Sequence, residues 1–170
     1  GAAIITAAVN KSSQAVTQQT RLARSLGATN KEVAGLTSAF KAYGLQQEDV
    51  SDAINSITDR AQDAANGMQS MADDFALVGL GVDELRGKEP TELFREFAKA
   101  IQSTDDPSKR TAAAVRILGD DIGRKLLPLL MEGEKGIEKF TRQAEQMGLA
   151  VSAVEAEQVE KANVAMSRIQ

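Results

Sequence analysis

The sequence lacks the residues on which many enzyme and metal sites depend. It contains neither cysteine nor histidine, which excludes disulfides, thiolate metal sites and the nucleophile systems that pair serine or cysteine with histidine. Tryptophan is absent, and aromatic residues make up only 4% of the chain. Because alanine supplies much of the apolar share and buries little area, we expect a thin core spread along helices.

Net charge and the length of apolar runs argue against two further classes, nucleic-acid binders and membrane-spanning proteins. The net charge is −4, whereas nucleic-acid binders usually show a basic patch or stripe. No apolar run approaches the roughly 18 residues that a membrane span needs, so we expect no membrane contact by this segment. The chain begins GAAIITAAV, without the residue order of a signal peptide. This beginning resembles the inside of a helix, and we expect the 170 residues to be a fragment of a longer protein.

Helix-forming residues dominate and strand formers do not cluster anywhere, so we predict an all-α fold. Its long, heptad-like amphipathic helices are expected to flank a group of short helices broken by Gly and Pro. We divide the chain into an N-terminal amphipathic helix (1–28), a long heptad-like rod (29–79), a compact multi-helix region (80–151) and a C-terminal amphipathic helix (152–170).

The strongest periodicity is a row of apolar residues in the predicted rod, called here the seam. Its spacings alternate four and three residues for eight consecutive steps, which is typical of a long helix that packs along one face. The seam must be covered by another segment, another copy or a partner protein, and we predict that it serves self-association or partner binding. The seam consists of Val50, Ile54, Ile57, Ala61, Ala64, Met68, Met71, Phe75 and Val78.

The same spacing extends towards the N-terminus of the rod. Gly44 is expected to break or bend the helix that contains Val33 and Tyr43. Because this apolar row continues in register through Gln47 to Val50, the helices on either side of Gly44 are expected to form one bent rod. Gly67 lies off the seam, where a glycine costs a helix roughly 1 kcal/mol relative to alanine.

Glycine and proline divide residues 80–151 into short helices. Pro90 and Pro107 suit the first helical position, where the missing N–H would have no partner. Asp106 suits an N-cap, and Asp120 or Asp121 is expected to cap the following helix. Pro128 lies inside that helix and is expected to kink or split it.

Other polar clusters have simpler explanations than chemistry. Adjacent carboxylates could serve a glycosidase, but capping and solvation explain them better. Gly79-Leu80-Gly81 lacks the following Lys and Ser/Thr of a phosphate loop, and the basic pairs are interleaved with acids. We therefore predict no catalytic, cofactor-binding or metal-binding residue. The pairs considered are Asp73-Asp74, Asp105-Asp106, Asp120-Asp121, Lys109-Arg110 and Arg124-Lys125.

The order of helices and breaks in residues 77–148 resembles the helical region of phage tail tape measure proteins. The resemblance covers about 70 to 90 residues of the 170. Each stretch is weak alone, and the ordered set is fairly specific. The stretches are Leu80-Gly81-Val82-Asp83-Glu84-Leu85 with Pro90, then Phe94, Phe97-Ala98 and Ile101, then Asp106-Pro107, Arg110, Ala113 and Leu118-Gly119, and finally Leu126-Leu127-Pro128-Leu129-Leu130 with Gly133, Gly136-Ile137 and Gly148-Leu149.

The resemblance implies a non-enzymatic structural role. Such proteins lie in the tail lumen in several copies, set the length of the tail and are expelled before DNA ejection. It implies the tail tube protein, an assembly chaperone and tail tip proteins as partners, in the virion and, during assembly, in the host cytoplasm. As one helix the chain would span roughly 250 Å, against a compact radius of gyration of roughly 15 Å. We therefore expect 80–151 to be a folded part at one end of the ruler, or to refold inside the tube.

Three other hypotheses remain open. The chain can be a generic bacterial helical coiled-coil adaptor or secreted interaction protein, which neighbouring genes would distinguish from a tail protein. It can be a cell-wall hydrolase that uses carboxylates, which peptidoglycan clearing would reveal. A nucleic-acid binder is disfavoured by charge, and a steep salt dependence of DNA binding would revive it.

Overall fold

The computed structural model describes residues 17–148, and all regular secondary structure in that range is helical. The all-α prediction is therefore confirmed. The helices are α1 (17–26), α2 (Asn30–Ala42), α3 (Gln47–Ala65), α4 (Gln69–Ala76), α5 (Val82–Leu85), α6 (Pro90–Ser103), α7 (Pro107–Leu118), α8 (Asp120–Met131) and α9 (Gly133–Gln146).

Helices α3 and α6 form the centre of the array. Helix α3 contacts α2, α4, α5, α6 and α7, and α6 also contacts α8 and α9. One hydrophobic core runs from Leu26 in α1 to Ile137 in α9. Within residues 17–148 no charged side chain is buried, so the core is held together mainly by apolar contacts.

The aromatic residues connect the two halves of the array. The chain has five phenylalanines and one tyrosine, and they form three ring pairs with centroids 6.0, 6.4 and 6.5 Å apart. Each pair joins a residue before position 80 to a residue after position 90. One pair is tilted and two are edge-to-face, and such contacts are typically worth about 0.5–1.5 kcal/mol beyond the area they bury. The pairs are Phe40–Phe94, Tyr43–Phe140 and Phe75–Phe97.

The long rod predicted for 29–79, with a bend or break at Gly44, is interrupted twice, at residues 43–46 and 66–68. Gly44 and Gly67 have φ of +83° and +100°, a conformation that glycine adopts without the penalty paid by other residues. In both turns the residue after the glycine donates its N–H to a carbonyl five positions back, at 2.9 Å. This hydrogen bond defines the Schellman helix ending. The ending at Gly44 agrees with the break or bend expected there, whereas the ending at Gly67 was not predicted, because heptad spacing does not show that a glycine followed by an apolar residue ends a helix.

The predicted boundary at 79/80 does not separate two cores. Helix α2, from the predicted rod, packs along α9, from the predicted compact region. The two run antiparallel: Lys31 pairs with Glu145 at 3.1 Å, and Gly35 faces Thr141. The array is therefore closed by contacts between its first and last parts. The predicted C-terminal helix (152–170) and the first part of the N-terminal helix (1–28) lie outside the described residues.

The short helices of the second half begin and end mostly where the sequence predicts. Pro90 and Pro107 occupy first helical positions, and the side chain of Asp106 accepts the N–H of Ser108 at 2.9 Å. Two predictions differ from the structure. The N-cap of α8 is Gly119 rather than Asp120 or Asp121, and α8 continues through Pro128 to Met131 without splitting.

Two helix pairs approach each other at glycines. A Cβ added to Gly35 would lie 2.6 Å from Thr141 Cα, where α2 crosses α9. A Cβ added to Gly123 would lie 2.6 Å from the carbonyl carbon of Ala114, where α7 packs on α8. These contacts involve backbone atoms, so the absence of a side chain at both positions sets the distance between the helices.

Candidate interaction surface

The structure places the predicted seam mainly inside the molecule. Seven of its nine residues are buried, from 0% to 6% exposed, and they are covered by helices of the same chain. Met71 is partly buried against the core, and Met68 is 48% exposed in the turn between α3 and α4. In this fold the seam is therefore a core face. Its role in association stays a prediction that would require the array to open.

The carboxylate pairs act mainly in caps and surface ion pairs. Asp106 caps α7, and Asp74 lies 3.4 Å from Arg116. Asp120 and Asp121 pair with Arg124 and Lys125 one turn later in α8, at 2.9 and 3.2 Å. Of these acids, Asp106 caps a helix and Asp74, Asp120 and Asp121 form ion pairs, and the absence of catalysis by them stays a prediction. Among residues 17–148 no cluster of three or more potential ligands is arranged to hold a metal ion.

An open groove with a volume of about 570 Å³ lies along the outer face of α7, and we call it the α7 groove. Its floor consists of small side chains from successive turns of the helix, and its rim carries two arginines. Arg116 and Arg124 are 59% and 62% exposed, and each already contacts one aspartate. The groove is lined by Pro107, Ser108, Thr111, Ala112, Val115, Arg116 and Arg124.

Helix α7 is basic within an acidic chain. It contains Lys109, Arg110 and Arg116 and no acidic residue, although the chain as a whole carries −4. Arg110 donates to the carbonyl of Thr104. Lys109 is exposed and stands one heptad before Arg116 on the same face of α7, beside the groove rather than among its lining residues. Sequence reasoning noted Lys109-Arg110 and Arg124-Lys125 as solvated pairs but missed the groove. The available signal was the spacing of small residues at 107, 111 and 115, without any acid between them.

The outer face of α3 has the opposite charge. It carries four exposed carboxylates that fall within a sector of about 60° when projected down the helix. None of them has a salt-bridge partner among the described residues. The acidic face of α3 consists of Glu48, Asp52, Asp59 and Asp63.

A second recess, of about 310 Å³, lies between α3, α5 and the start of α6. Its floor includes Ala61, Leu85 and Leu93, and its rim carries Arg86 and Lys88. Arg86 lies 3.5 Å from Asp83, and Lys88 lies 3.7 Å from Glu96. Both cations have carboxylate neighbours, as the arginines of the α7 groove do. Lys88 is only 23% exposed, so the recess presents less accessible positive charge than the α7 groove.

Comparison of the chain with protein families, with curated proteins and with solved structures found no match in any of the three. Over the described range, 17–148, none of the helices is both long and apolar enough to cross a bilayer.

Proposed function

We propose that the chain is a folded, non-enzymatic segment of a phage tail tape measure protein, present in several copies in the tail and in contact with tail tube, chaperone or tip proteins. The proposal is carried by the order of the helix boundaries from 80 to 148. The stretches that resemble the family coincide with structural features: Pro90 begins α6, Asp106-Pro107 begins α7, and Gly119 separates α7 from α8. These motifs therefore mark where successive helices begin and end.

The folding of the chain into an array determines whether such a segment could measure length. A ruler measures length because an extended helix advances about 1.5 Å per residue. Here α2 and α9 lie side by side in opposite directions, so the folded segment adds little to the distance between its ends. We infer that the segment serves as a folded part of the ruler and leaves length measurement to other parts of the parent protein.

The first experiment tests whether the chain is in the tail at all. Tails are purified from the phage or induced prophage that encodes it and analysed by mass spectrometry. We expect peptides from residues 17–148 in tails at a constant ratio to the tube protein. Their absence from intact tails, with the protein present in the lysate, would overturn the proposal.

A second experiment tests the folded state in the tail. Residues 17–148 are deleted in frame from the parent protein, and tail lengths are measured by electron microscopy. We expect assembled tails of unchanged length. If the segment lies in the tube as one extended helix, the tails shorten by about 200 Å.

The buried seam also favours a second candidate, the generic helical adaptor. A chain that buries its own heptad face within one molecule does not need a multi-copy coiled coil to be stable. This candidate predicts a folded protein outside the tail, bound to partners that are not tail components. The mass spectrometry of purified tails therefore distinguishes the two.

A further inference from the structure

We propose that a second copy of this chain binds in the α7 groove through the acidic face of its α3. The contact does not require a role in a phage tail. It joins two surfaces that the folded chain leaves exposed, one basic and one acidic, and leaves the seam buried.

The charges on the two surfaces have matching spacing. Lys109 and Arg116 are seven residues apart on α7, and Asp52 and Asp59 are seven residues apart on α3. A separation of seven residues corresponds to about 10.5 Å along a helix. When the two helices lie along each other, both cations can therefore face both carboxylates at the same time.

The shapes of the two surfaces also fit. The middle of the groove floor carries the short side chains of Ser108, Thr111 and Ala112, which allow a helix to approach at the short end of the usual 8–10 Å between axes. Between its two aspartates the acidic face presents Asn55, an amide that can hydrogen-bond to serine and threonine hydroxyls.

The arginines on the rim keep donors for a partner. Each guanidinium has five N–H groups. Arg116 presents Nη1 to Asp74 and Arg124 presents Nε to Asp120, and both side chains are more than half exposed. Ion pairs at such positions are individually weak and are screened by salt. We therefore expect a contact that is weak for free molecules and effective where copies are held together, because tethering or confinement brings effective concentrations to the millimolar range.

The geometry of the contact sets the form of the assembly. The groove and the acidic face are different surfaces of one molecule, so in a head-to-tail contact the copy that offers its groove keeps a free acidic face, and the copy that offers its acidic face keeps a free groove. Such contacts produce open chains or rings rather than closed dimers.

The experiment measures the mass of the full 170-residue chain by sedimentation across micromolar to millimolar concentrations, at low and high NaCl. We expect mass to increase with concentration beyond the dimer at low salt, and the association to weaken at least tenfold at high salt. A chain that stays monomeric at millimolar concentration and low salt overturns the proposal.

Two charge-reversed variants locate the contact. The double variants Asp52→Lys/Asp59→Lys and Lys109→Glu/Arg116→Glu should each lose self-association. Mixed together they should form complexes, because the first keeps an intact groove and the second keeps an intact acidic face. Variants that associate as well as the original chain, or a mixture that stays monomeric, would contradict the proposed contact.

Matched controls lie on α9, where exposed acids and cations have no salt-bridge partner among the described residues. Glu134→Lys/Glu138→Lys and Lys135→Glu/Lys139→Glu change the net charge by the same amounts and should leave association unchanged. An equal loss in these controls would show that net charge alone controls association, against the proposal. Because Arg116→Glu places a carboxylate beside Asp74, Lys109→Glu alone serves as a second variant if circular dichroism shows unfolding.

Discussion

At the residue scale, the absence of a side chain at two glycines controls how closely helices pack. Gly35 and Gly123 lie inside helices with φ below zero, so backbone conformation does not require glycine at either position. The requirement is space, because a Cβ at either position would meet backbone atoms of the facing helix. Backbone cannot rotate away as the end of a flexible side chain can, so the helices themselves would have to separate.

We expect Gly35→Ala and Gly123→Ala each to lower the free energy of unfolding by about 1–3 kcal/mol. The gain of roughly 1 kcal/mol from higher helix propensity should not offset the separation of packed helices. Urea unfolding followed by circular dichroism measures the change. Gly81→Ala is the control, because its φ is −83° and a Cβ there meets nothing within 4 Å. A stabilised Gly35→Ala protein would show that α2 and α9 are not in close contact.

Tyr43 gives a second prediction at this scale. Burial, followed by the negative charge of Glu132, raises the pKa of its phenol above 10.0. The chain has one tyrosine and no tryptophan, so ultraviolet absorbance of the phenolate reports this residue alone. We expect a titration midpoint above 10.0 in the folded protein, a lower one in Glu132→Gln, and a return to about 10 in urea. A folded midpoint at or below the urea value would exclude the burial of Tyr43 against Phe140.

The raised pKa also determines how stability depends on pH. Because the folded state holds the phenolic proton more tightly than the unfolded state, the contribution is fully present below pH 10 and decreases as pH rises through the folded pKa. Unfolding measured on either side of pH 10 should therefore show stability falling with pH.

At the element scale, four helices in the first half end with the same hydrogen-bonding pattern. A glycine with positive φ is followed by a residue whose N–H bonds five positions back, at 2.8 to 3.1 Å. In two of the four the residue after the glycine, Leu45 or Leu80, is buried in the core. The apolar contact and the turn therefore reinforce each other. The pairs are Gly27-Ala28, Gly44-Leu45, Gly67-Met68 and Gly79-Leu80.

Gly67→Ala distinguishes the observed turn from the predicted rod by the sign of its effect. At a φ of +100° an alanine is strained, and we expect a loss of about 1–2 kcal/mol of stability. In a continuous helix over 47–78 the same change would gain about 1 kcal/mol. Thermal or urea unfolding decides between them, with the exposed neighbour Asn66→Ala as the control. A stabilised Gly67→Ala protein would support a continuous helix instead of the turn.

How well a structural feature can be predicted from the sequence depends on how many positions separate the residues that form it. The ends of α6, α7 and α9 follow from local signals such as Pro90, Asp106-Pro107 and Gly148, because caps and turns involve residues a few positions apart. Heptad spacing identified which residues of α3 are apolar and buried, but not what covers them. The spacing is the same whether the covering helix belongs to the same chain or to another copy. The α7 groove is lined by α7 and by Arg124 of α8, so it depends on how two helices pack against each other, which the spacing of residues within one helix does not reveal.

At the scale of the whole molecule, contacts of α2 with the last helix, α9, close the array. Apart from Lys31–Glu145, the closure includes a salt bridge between Arg95 and Glu32 at 3.0 Å and the Tyr43–Phe140 ring pair. Exposed ion pairs contribute little stability individually, so the apolar contacts of α2 with α9 and α6 are expected to hold the closure. The predicted division into a rod and a separate compact region is therefore replaced by one array over 17–148.

The closure predicts a specific chemical cross-link. A water-soluble carbodiimide should join Lys31 to Glu145, whose charged groups are 3.1 Å apart, within one molecule. Mass spectrometry of the digested monomer detects the link. In an extended helix the two residues would be roughly 170 Å apart. The local pair Lys125–Asp121, at 3.2 Å, is the control because it lies within one helix. Recovery of the local link without the Lys31–Glu145 link would show that the array is open.

The antiparallel pairing of α2 and α9 also has a mechanical consequence. Tension applied at Asn30 and Gln146 acts at the end of the pair where Lys31 meets Glu145. The two helices would then part from that end, one turn after another, past Gly35 and Thr141 towards Tyr43. When the array opens from this end, only a few contacts break at a time. A small, constant force can therefore extend its helices one after another.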